Sequence, residues 1–198
     1  MNGGKRLFDL VCASTGLALL SPLFLCIAAV IYLEDSRPVF FRQWRVGRYG
    51  RPFRMWKFRT MVVDADRQGR QITVGRDPRI TRIGHWLRRF KLDELPQLLN
   101  VMTGEMSLVG PRPEVQRYVD LYTPAQRTVL DLVPGITDPA SIAYRNESEL
   151  LANAEDPERY YIDKIMPEKI RINLEYAARR SFWSDLVIVL RTVLPFGD

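Results

Sequence analysis

The apolar positions of this 198-residue chain follow two different patterns. Residues 10–33 form a single uncharged run of 24 residues, marked at its centre by Ser21-Pro22. A run this long and this apolar is a membrane-helix candidate. Proline removes a backbone donor and its ring meets the preceding turn, so the pattern predicts a helix that kinks or breaks at Ser21-Pro22. The polar Glu34-Asp35-Ser36-Arg37-Pro38 ends this element. The chain therefore divides into a membrane element over residues 1–36 and a folded domain over residues 37–198, long enough to bury a core of its own.

In the second region the apolar residues recur at strand and helix spacings. Residues 39–46 and 53–59 are rich in β-branched and aromatic side chains and flank Gly47-Arg48-Tyr49-Gly50, which predicts a β-hairpin. Residues 64–75 are polar and read as a loop. Residues 80–90 carry apolar side chains at helical spacing, with Arg88 and Arg89 on the later turn. Asp93-Glu94-Leu95-Pro96 reads as a helix start continuing to about residue 101, because Asp caps well and Pro is tolerated in a first turn. Residues 107–113 are a short apolar stretch running into a Pro-bracketed loop. Thr123-Pro124 opens a helix to about residue 133, where Pro134-Gly135 stops it.

Another helix covers residues 167–180. Ser181 caps a last one over 182–194, whose Phe182, Trp183, Leu186, Val187, Leu190, Val193 and Leu194 form a broad apolar face. Its only charges are Asp185 and Arg191. Such a helix belongs either in a core or flat on a bilayer surface.

Charge changes the picture of the membrane element. The net charge of +6 conceals a basic block over residues 39–91, with 15 Lys/Arg against 3 Asp/Glu, and an acidic remainder. Arg-rich flanks stay cytoplasmic, and Lys5 and Arg6 ask the same of the N-terminus. A single crossing cannot satisfy both flanks. A re-entrant helix-break-helix turning at Ser21-Pro22 satisfies them; a kinked spanning helix is the alternative. The expected fold is thus α/β: a small, mainly helical domain with a short hairpin or sheet, one N-terminal re-entrant membrane helix, and interfacial amphipathic helices. No signal-peptide cleavage site follows the apolar run, so it is expected to be retained. Cys12 and Cys26 both lie inside it. This leaves no disulfide framework and no zinc cluster, and an oxidising compartment is not needed.

A basic block beside a membrane segment points to anionic lipid, a phosphorylated ligand or nucleic acid. Asp93-Glu94 follows Arg88, Arg89 and Lys91. In structural terms the pair is a helix cap with a first-turn helix former. In an Arg-rich concavity, two carboxylates can instead hold Mg²⁺ against a polyphosphate, or one can attack phosphorus. On a strand Lys57 and Arg59 face one side and suit a diphosphate, or simply a solvated sheet face. Arg112 sits between two prolines, which pre-aims a fork suited to phosphate; otherwise it is an exposed turn residue. His85, the only histidine, is expected to pack. No GxGxxG, Walker A, zinc spacing or Gly-x-Ser-x-Gly occurs. Nor does a nucleic-acid-binding motif, so a membrane-tethered basic binding module is the weaker functional reading.

Three ordered motifs carry a resemblance. They are Lys57-Phe58-Arg59-Thr60-Met61, Asp93-Glu94-Leu95-Pro96-Gln97-Leu98-Leu99-Asn100-Val101, and Gly104-Glu105-Met106-Ser107-Leu108-Val109-Gly110-Pro111-Arg112-Pro113. Together with Lys5-Arg6-Leu7-Phe8-Asp9 and the Ser21-Pro22 break, they closely resemble the bacterial monotopic phosphoglycosyl transferases, over nearly the whole chain. The resemblance implies an enzyme of the bacterial inner membrane with its catalytic domain in the cytoplasm. It would move a sugar phosphate from a UDP-sugar to a polyprenol phosphate and release UMP, in exopolysaccharide, O-antigen or glycoprotein assembly. Asp93 would be the covalent nucleophile, Glu94 would help bind Mg²⁺ and assist proton removal, and both carboxylates would be metal ligands. Lys57, Arg59, Thr60, Arg88 and Arg112 would face phosphates, with Arg145 at the far end of the site. Membrane lipid would be a partner and nucleic acid would not; a homodimer is compatible with it. The chain departs from many relatives at Asp138-Pro139-Ala140-Ser141, a loop expected near the nucleotide or sugar, so a relative's sugar specificity does not transfer.

Overall fold

The computed structural model describes residues 3–36, 38–65 and 77–194. Its first element, α1 (Gly3–Asp35), is a 33-residue helix with Pro22 inside it. At 1.5 Å per residue a straight helix of this length reaches about 50 Å. The interruption expected at Ser21-Pro22 is therefore not a gap between two helices. Pro22 cannot donate to the Ala18 carbonyl four residues back, and the Ser21 hydroxyl donates to that same carbonyl at 2.8 Å. A side-chain donor thus replaces the missing backbone donor and the helix continues.

One stripe of α1 faces the domain along its length. Asp9, Ala13, Ile27 and Ile31 are buried, and Leu17 and Phe24 pack beside them. These positions are three, four or seven residues apart, the spacing of one helix face. Leu7, Val11, Leu19, Leu25 and Leu33 are exposed on the remaining surface. Both ends of α1 are tied to the domain. Arg6 donates to the carbonyls of Val101 (2.6 Å) and Met102 (2.9 Å). At the other end Arg59 donates to the Asp35 carbonyl at 2.8 Å, and Ile83 N–H donates to the Glu34 carboxylate at 3.2 Å.

The hairpin forms as expected. β1 (Phe40–Val46) pairs antiparallel with β2 (Pro52–Phe58), in a register running from Phe40 opposite Phe58 to Val46 opposite Pro52. α2 (Arg82–Arg89) follows, capped by the Thr81 hydroxyl on Gly84 N–H. Of the loop expected over 64–75, only Asp64 and Ala65 fall within the described residues. The chain then turns through a 3₁₀ segment, Leu92–Glu94, before α3 (Gln97–Thr103). Asp93 is accordingly not the cap of α3, as its sequence context suggested. Lys91 adopts a left-handed conformation (φ 54°), which tightens the turn and carries Asp93 inward, and α3 starts after Pro96.

β3 (Ser107–Val109) pairs parallel with β4 (Gly135–Thr137). The two chains approach so closely that a Cβ on Gly135 would lie 2.1 Å from the Gly110 nitrogen. Between them lie α4 (Gln116–Val119) and α5 (Pro124–Arg127). The helix expected to reach residue 133 is shorter than that. It passes into a 3₁₀ turn, Thr128–Asp131, and Leu132 is extended as the chain approaches Pro134. The Thr123–Gln126 capping box that starts α5 is present. α6 (Pro139–Ala143), α7 (Glu147–Ala152), α8 (Pro157–Tyr160) and a π-helical turn lead into α9 (Met166–Arg179). The largest apolar cluster joins Val115, Tyr118, Val119 and Tyr122 to Leu151, Tyr161, Ile165, Met166 and Ile170.

The last helix, α10 (Phe182–Val193), is capped by Ser181 and Ser184 reciprocally. It does not serve as a core helix. Its buried residues include Asp185 and Ile188, whereas Phe182, Trp183, Val187 and Leu190 are exposed. Asp185 is held by Lys5 of α1 and by the Tyr176 hydroxyl of α9. Its polar contacts are turned inward, and much of its apolar face is turned outward.

Candidate functional site

A cavity of about 900 Å³ opens against the hairpin face that carries Phe41, Gln43, Arg45 and Lys57. Among the described residues, eleven Lys/Arg and five Asp/Glu line it. Such an excess of cations in a concave wall raises the local concentration of anionic ligands. Lys57, Arg59, Thr60, Arg88, Asp93, Glu94, Arg112 and Arg145 all line this one cavity, although they are spread over 89 positions of the chain.

Glu94 is the centre of the cluster. Arg112 donates to both of its carboxylate oxygens, with Nη1 to Oε2 at 2.9 Å and Nη2 to Oε1. Lys57 Nζ donates to Oε1 at 2.9 Å. Burial alone would raise this carboxyl, but Arg112 and Lys57 hold it well below the usual carboxylate range. In return Glu94 pushes the Arg112 guanidinium up against the effect of burial. Lys57 moves the other way: burial lowers its ammonium and Glu94 only partly opposes this.

Asp93 has the opposite environment from its neighbour. It is 6% exposed, and burial pushes its carboxyl up. Lys57 pulls it back down, and the Glu94 charge pushes it further up. Two adjacent carboxyls driven apart in this way can hold different roles in one reaction. Glu94 is a fixed anion that orients two cations, and Asp93 is the less engaged group.

Arg88 reaches the site because α2 lies directly on the end of the hairpin. Its Nε donates to Thr60 Oγ1 at 2.8 Å. The approach depends on Gly84, where a Cβ would meet the Thr60 carbonyl oxygen at 2.1 Å. Burial lowers the Arg88 guanidinium, with Asp93 opposing. Arg59 lines the cavity but is also bound elsewhere. Its Nη2 serves the Asp35 and Ser36 carbonyls at the end of α1, while its Nη1 is buried without a partner among the described residues. Arg145 donates to the Arg191 carbonyl at 3.2 Å and is exposed at the cavity's edge. Ser21 and Pro22 lie in α1, outside the cavity lining. His85 does not pack as expected. It is on the exposed side of α2 and does not line the cavity.

Several lining residues were not singled out from sequence. Lys91 is placed by its left-handed backbone, which no pattern signals. Arg45 could have been found from strand alternation, since it shares a face with Lys57. It bonds Gln43 at 2.7 Å, Glu114 at 3.1 Å and the Pro113 carbonyl at 3.3 Å. It thereby braces the loop that carries Arg112. The divergent loop contributes through Ser141. Asp138 is fully buried as the cap of α6, accepting from Ser141 N–H at 2.8 Å and its hydroxyl at 2.7 Å.

Among the described residues no group of three or more His, Cys, Asp or Glu could ligate a metal. Mg²⁺ does not require one, because one or two carboxylates with phosphate oxygens and water suffice. Asp93 fits as one donor. Glu94 Oε1 accepts from two cations, but Oε2 accepts one bond and keeps a second lone pair. The pair therefore suits a cation completed by a phosphorylated ligand.

The profile of the family described as bacterial sugar transferase matches residues 2–196. The chain is 40% identical over 194 residues to the UDP-glucose:undecaprenyl-phosphate glucose-1-phosphate transferase of Escherichia coli K12, covering 96% of this chain and 39% of that protein. An uncharacterized sugar transferase of Bacillus subtilis is 39% identical, with 96% and 85% covered. An exopolysaccharide production protein of Rhizobium meliloti is 36% identical, with 96% and 83% covered. The chain thus spans about two fifths of the Escherichia coli protein and most of the other two.

Proposed function

The chain belongs to the bacterial sugar transferase family, and on that premise we propose that it transfers a sugar-1-phosphate from a UDP-sugar to a polyprenol phosphate, with release of UMP. The observation that carries the proposal is the pairing of a buried Asp93 with Glu94 inside the cationic cavity, where Arg112 and Lys57 neutralise Glu94.

The reaction runs in two displacements. An Asp93 carboxylate oxygen attacks the phosphorus that bears the sugar. The bond from that phosphorus to the bridging oxygen breaks, and UMP leaves with the electron pair. The polyprenol phosphate oxygen then attacks the same phosphorus, and the acyl phosphate bond returns its electrons to Asp93. Two substrates of opposite solubility can then use one site in turn.

The residues around Asp93 support each part of this. Arg112, Lys57 and Arg88 supply fixed positive charge where the leaving phosphate gains negative charge, and they need no reorganisation to do so. Glu94 keeps the first two of these in place. Mg²⁺, held by Asp93 and Glu94 Oε2, would add charge neutralisation on the diphosphate.

The membrane arrangement belongs to the same proposal. Both ends of α1 dock on one domain, through Arg6 at the start and through Glu34 and Asp35 at the end. Docking at both ends favours a helix that enters one leaflet and returns over one that crosses. The exposed apolar residues of α1 and α10 supply the lipid-facing surface, and the catalytic domain sits on the cytoplasmic face of the inner membrane.

The test is isotope exchange without lipid acceptor. The purified protein is incubated with a UDP-sugar and labelled UMP across a panel of donors. Label should enter the UDP-sugar, and Asp93→Asn should abolish the exchange. Release of UDP in place of UMP would overturn the reaction type, and full exchange by Asp93→Asn would remove Asp93 from the nucleophile role.

A further inference from the structure

Another part of the cavity lining has a different chemistry. α9 presents Met166, Ile170 and Asn173 inward, at positions i, i+4 and i+7. The first two are apolar and join the largest core cluster. Asn173 is polar on this same stripe and only 5% exposed. Its Oδ1 is buried with no hydrogen-bond partner among the described residues. Asn173 lines the cavity, as do Tyr118, Tyr122 and Tyr161. The rings of Tyr118 and Tyr161 lie 5.1 Å apart, tilted by 55°.

Buried polar groups are hydrogen-bonded as a rule, so a buried carboxamide oxygen left unpaired beside a cavity is a candidate to take its partner from the ligand. The neighbouring polar group does not meet this need, because the Tyr161 hydroxyl donates to Glu114. If the ligand is a UDP-sugar, its parts can be matched to the wall. The phosphates match Lys57, Arg88 and Arg112. The sugar and ribose offer hydroxyls and C–H faces, but neither has a donor set between two acceptors in one plane. Uracil has two flat faces and an imide edge, with N3–H as donor between two carbonyl acceptors. A carboxamide complements that edge. Its oxygen accepts from N3–H while its NH₂ donates to a neighbouring carbonyl.

We propose that Asn173 reads the imide edge of the uracil ring, with the Tyr118–Tyr161 end of the cavity forming the base subsite. The proposal rests on the nucleotide-sugar reading above. It assigns donor selectivity for the base to α9.

The experiment pairs a change in the protein with a change in the ligand. UMP, N3-methyl-UMP and ribose 5-phosphate are titrated against the full-length protein in detergent, as wild type and as Asn173→Leu. One lost hydrogen bond of ordinary strength corresponds to roughly a tenfold change in affinity. Wild type should bind UMP about tenfold more tightly than N3-methyl-UMP. Asn173→Leu should bind UMP about tenfold more weakly and no longer distinguish the two, while ribose 5-phosphate binds both proteins equally. Were Asn173→Leu not to fold, Asn173→Ser removes the amide with less volume change and is read the same way.

A variant that keeps the wild-type discrimination would overturn the base subsite and leave the transferase reading intact. Loss of ribose 5-phosphate affinity in step with UMP would also overturn it, because the effect would then not be specific to the base. A wild-type protein that binds no UMP would overturn both.

Discussion

The carboxylate of Asp9, on the apolar helix, accepts a hydrogen bond from the Ser107 hydroxyl at 2.8 Å at the start of β3. Its other oxygen accepts from Leu108 N–H at 3.2 Å. Asp9 and Ser107 are both fully buried. Five residues beyond Ser107 lies Arg112, so the long apolar helix and the site cation are joined through one short strand. Asp9→Ala would leave the Ser107 hydroxyl and the Leu108 N–H buried without an acceptor, a cost of about 2–3 kcal/mol. Asp9→Asn keeps one acceptor oxygen and should cost less. Thermal unfolding in detergent orders the three proteins; an Asp9→Ala variant as stable as wild type would refute the coupling.

Arg112 grips Glu94 with two parallel bonds, which an ammonium cannot reproduce. Arg112→Lys keeps the charge and loses the fork. We expect kcat/KM for the UDP-sugar to fall roughly 10- to 100-fold, the scale of one or two charge-assisted hydrogen bonds. Steady-state release of UMP measures it. A change below threefold would mean that charge alone is sufficient at this position.

The reaction should depend on pH through Asp93. Burial raises this carboxyl, and in the proposed reaction only its ionised form attacks. The rate of the first half-reaction should therefore climb with pH through a midpoint above the ordinary aspartate value of about 3.9 and then level off. The Glu94 charge contributes to the elevation, so Glu94→Gln should shift the midpoint downward. Single-turnover UMP release against pH decides this; an upward shift would contradict the assigned electrostatics.

Glu94 affects stability in the opposite sense. Its folded value lies well below its unfolded one of about 4.3. Its contribution is complete above the unfolded value and is lost as pH falls through the folded one. The melting temperature of wild type should therefore drop more steeply than that of Glu94→Gln as pH is lowered from about 5. Parallel curves would show that the Lys57–Glu94–Arg112 cluster is not linked to folding.

Pro22→Leu would restore the backbone donor that Ala18 lacks and free the Ser21 hydroxyl. A straighter helix should place a fraction of N-termini on the far side of the membrane. Labelling of an N-terminal cysteine by an impermeant reagent reports that fraction. No change in labelling would mean that the docking of Arg6, Glu34 and Asp35, and not Pro22, sets the topology.

Local pattern was enough to identify the longer elements of this protein. The alternation flanking Gly47-Arg48-Tyr49-Gly50 defined the hairpin to within a residue, and Ser181 marked the start of α10, because turn chemistry and caps act over a few positions. The candidate site residues were legible as motifs of charge, and the cavity gathers all eight of those assigned to catalysis and phosphate binding. What the sequence left open depended on contacts between distant segments. Asp93 read as a cap, but a left-handed Lys91 turned it into the cavity wall. Asn173 read as one more helical position, and only the packing of α9 buried it beside a cavity with an oxygen unpaired. The apolar run over residues 10–33 marked one long apolar helix by length and composition, which are properties of the chain itself. That both of its ends return to one domain was decided by Arg6, Asp9, Glu34 and Asp35 meeting partners 49 to 99 residues away, or 24 in the case of Asp35 and Arg59.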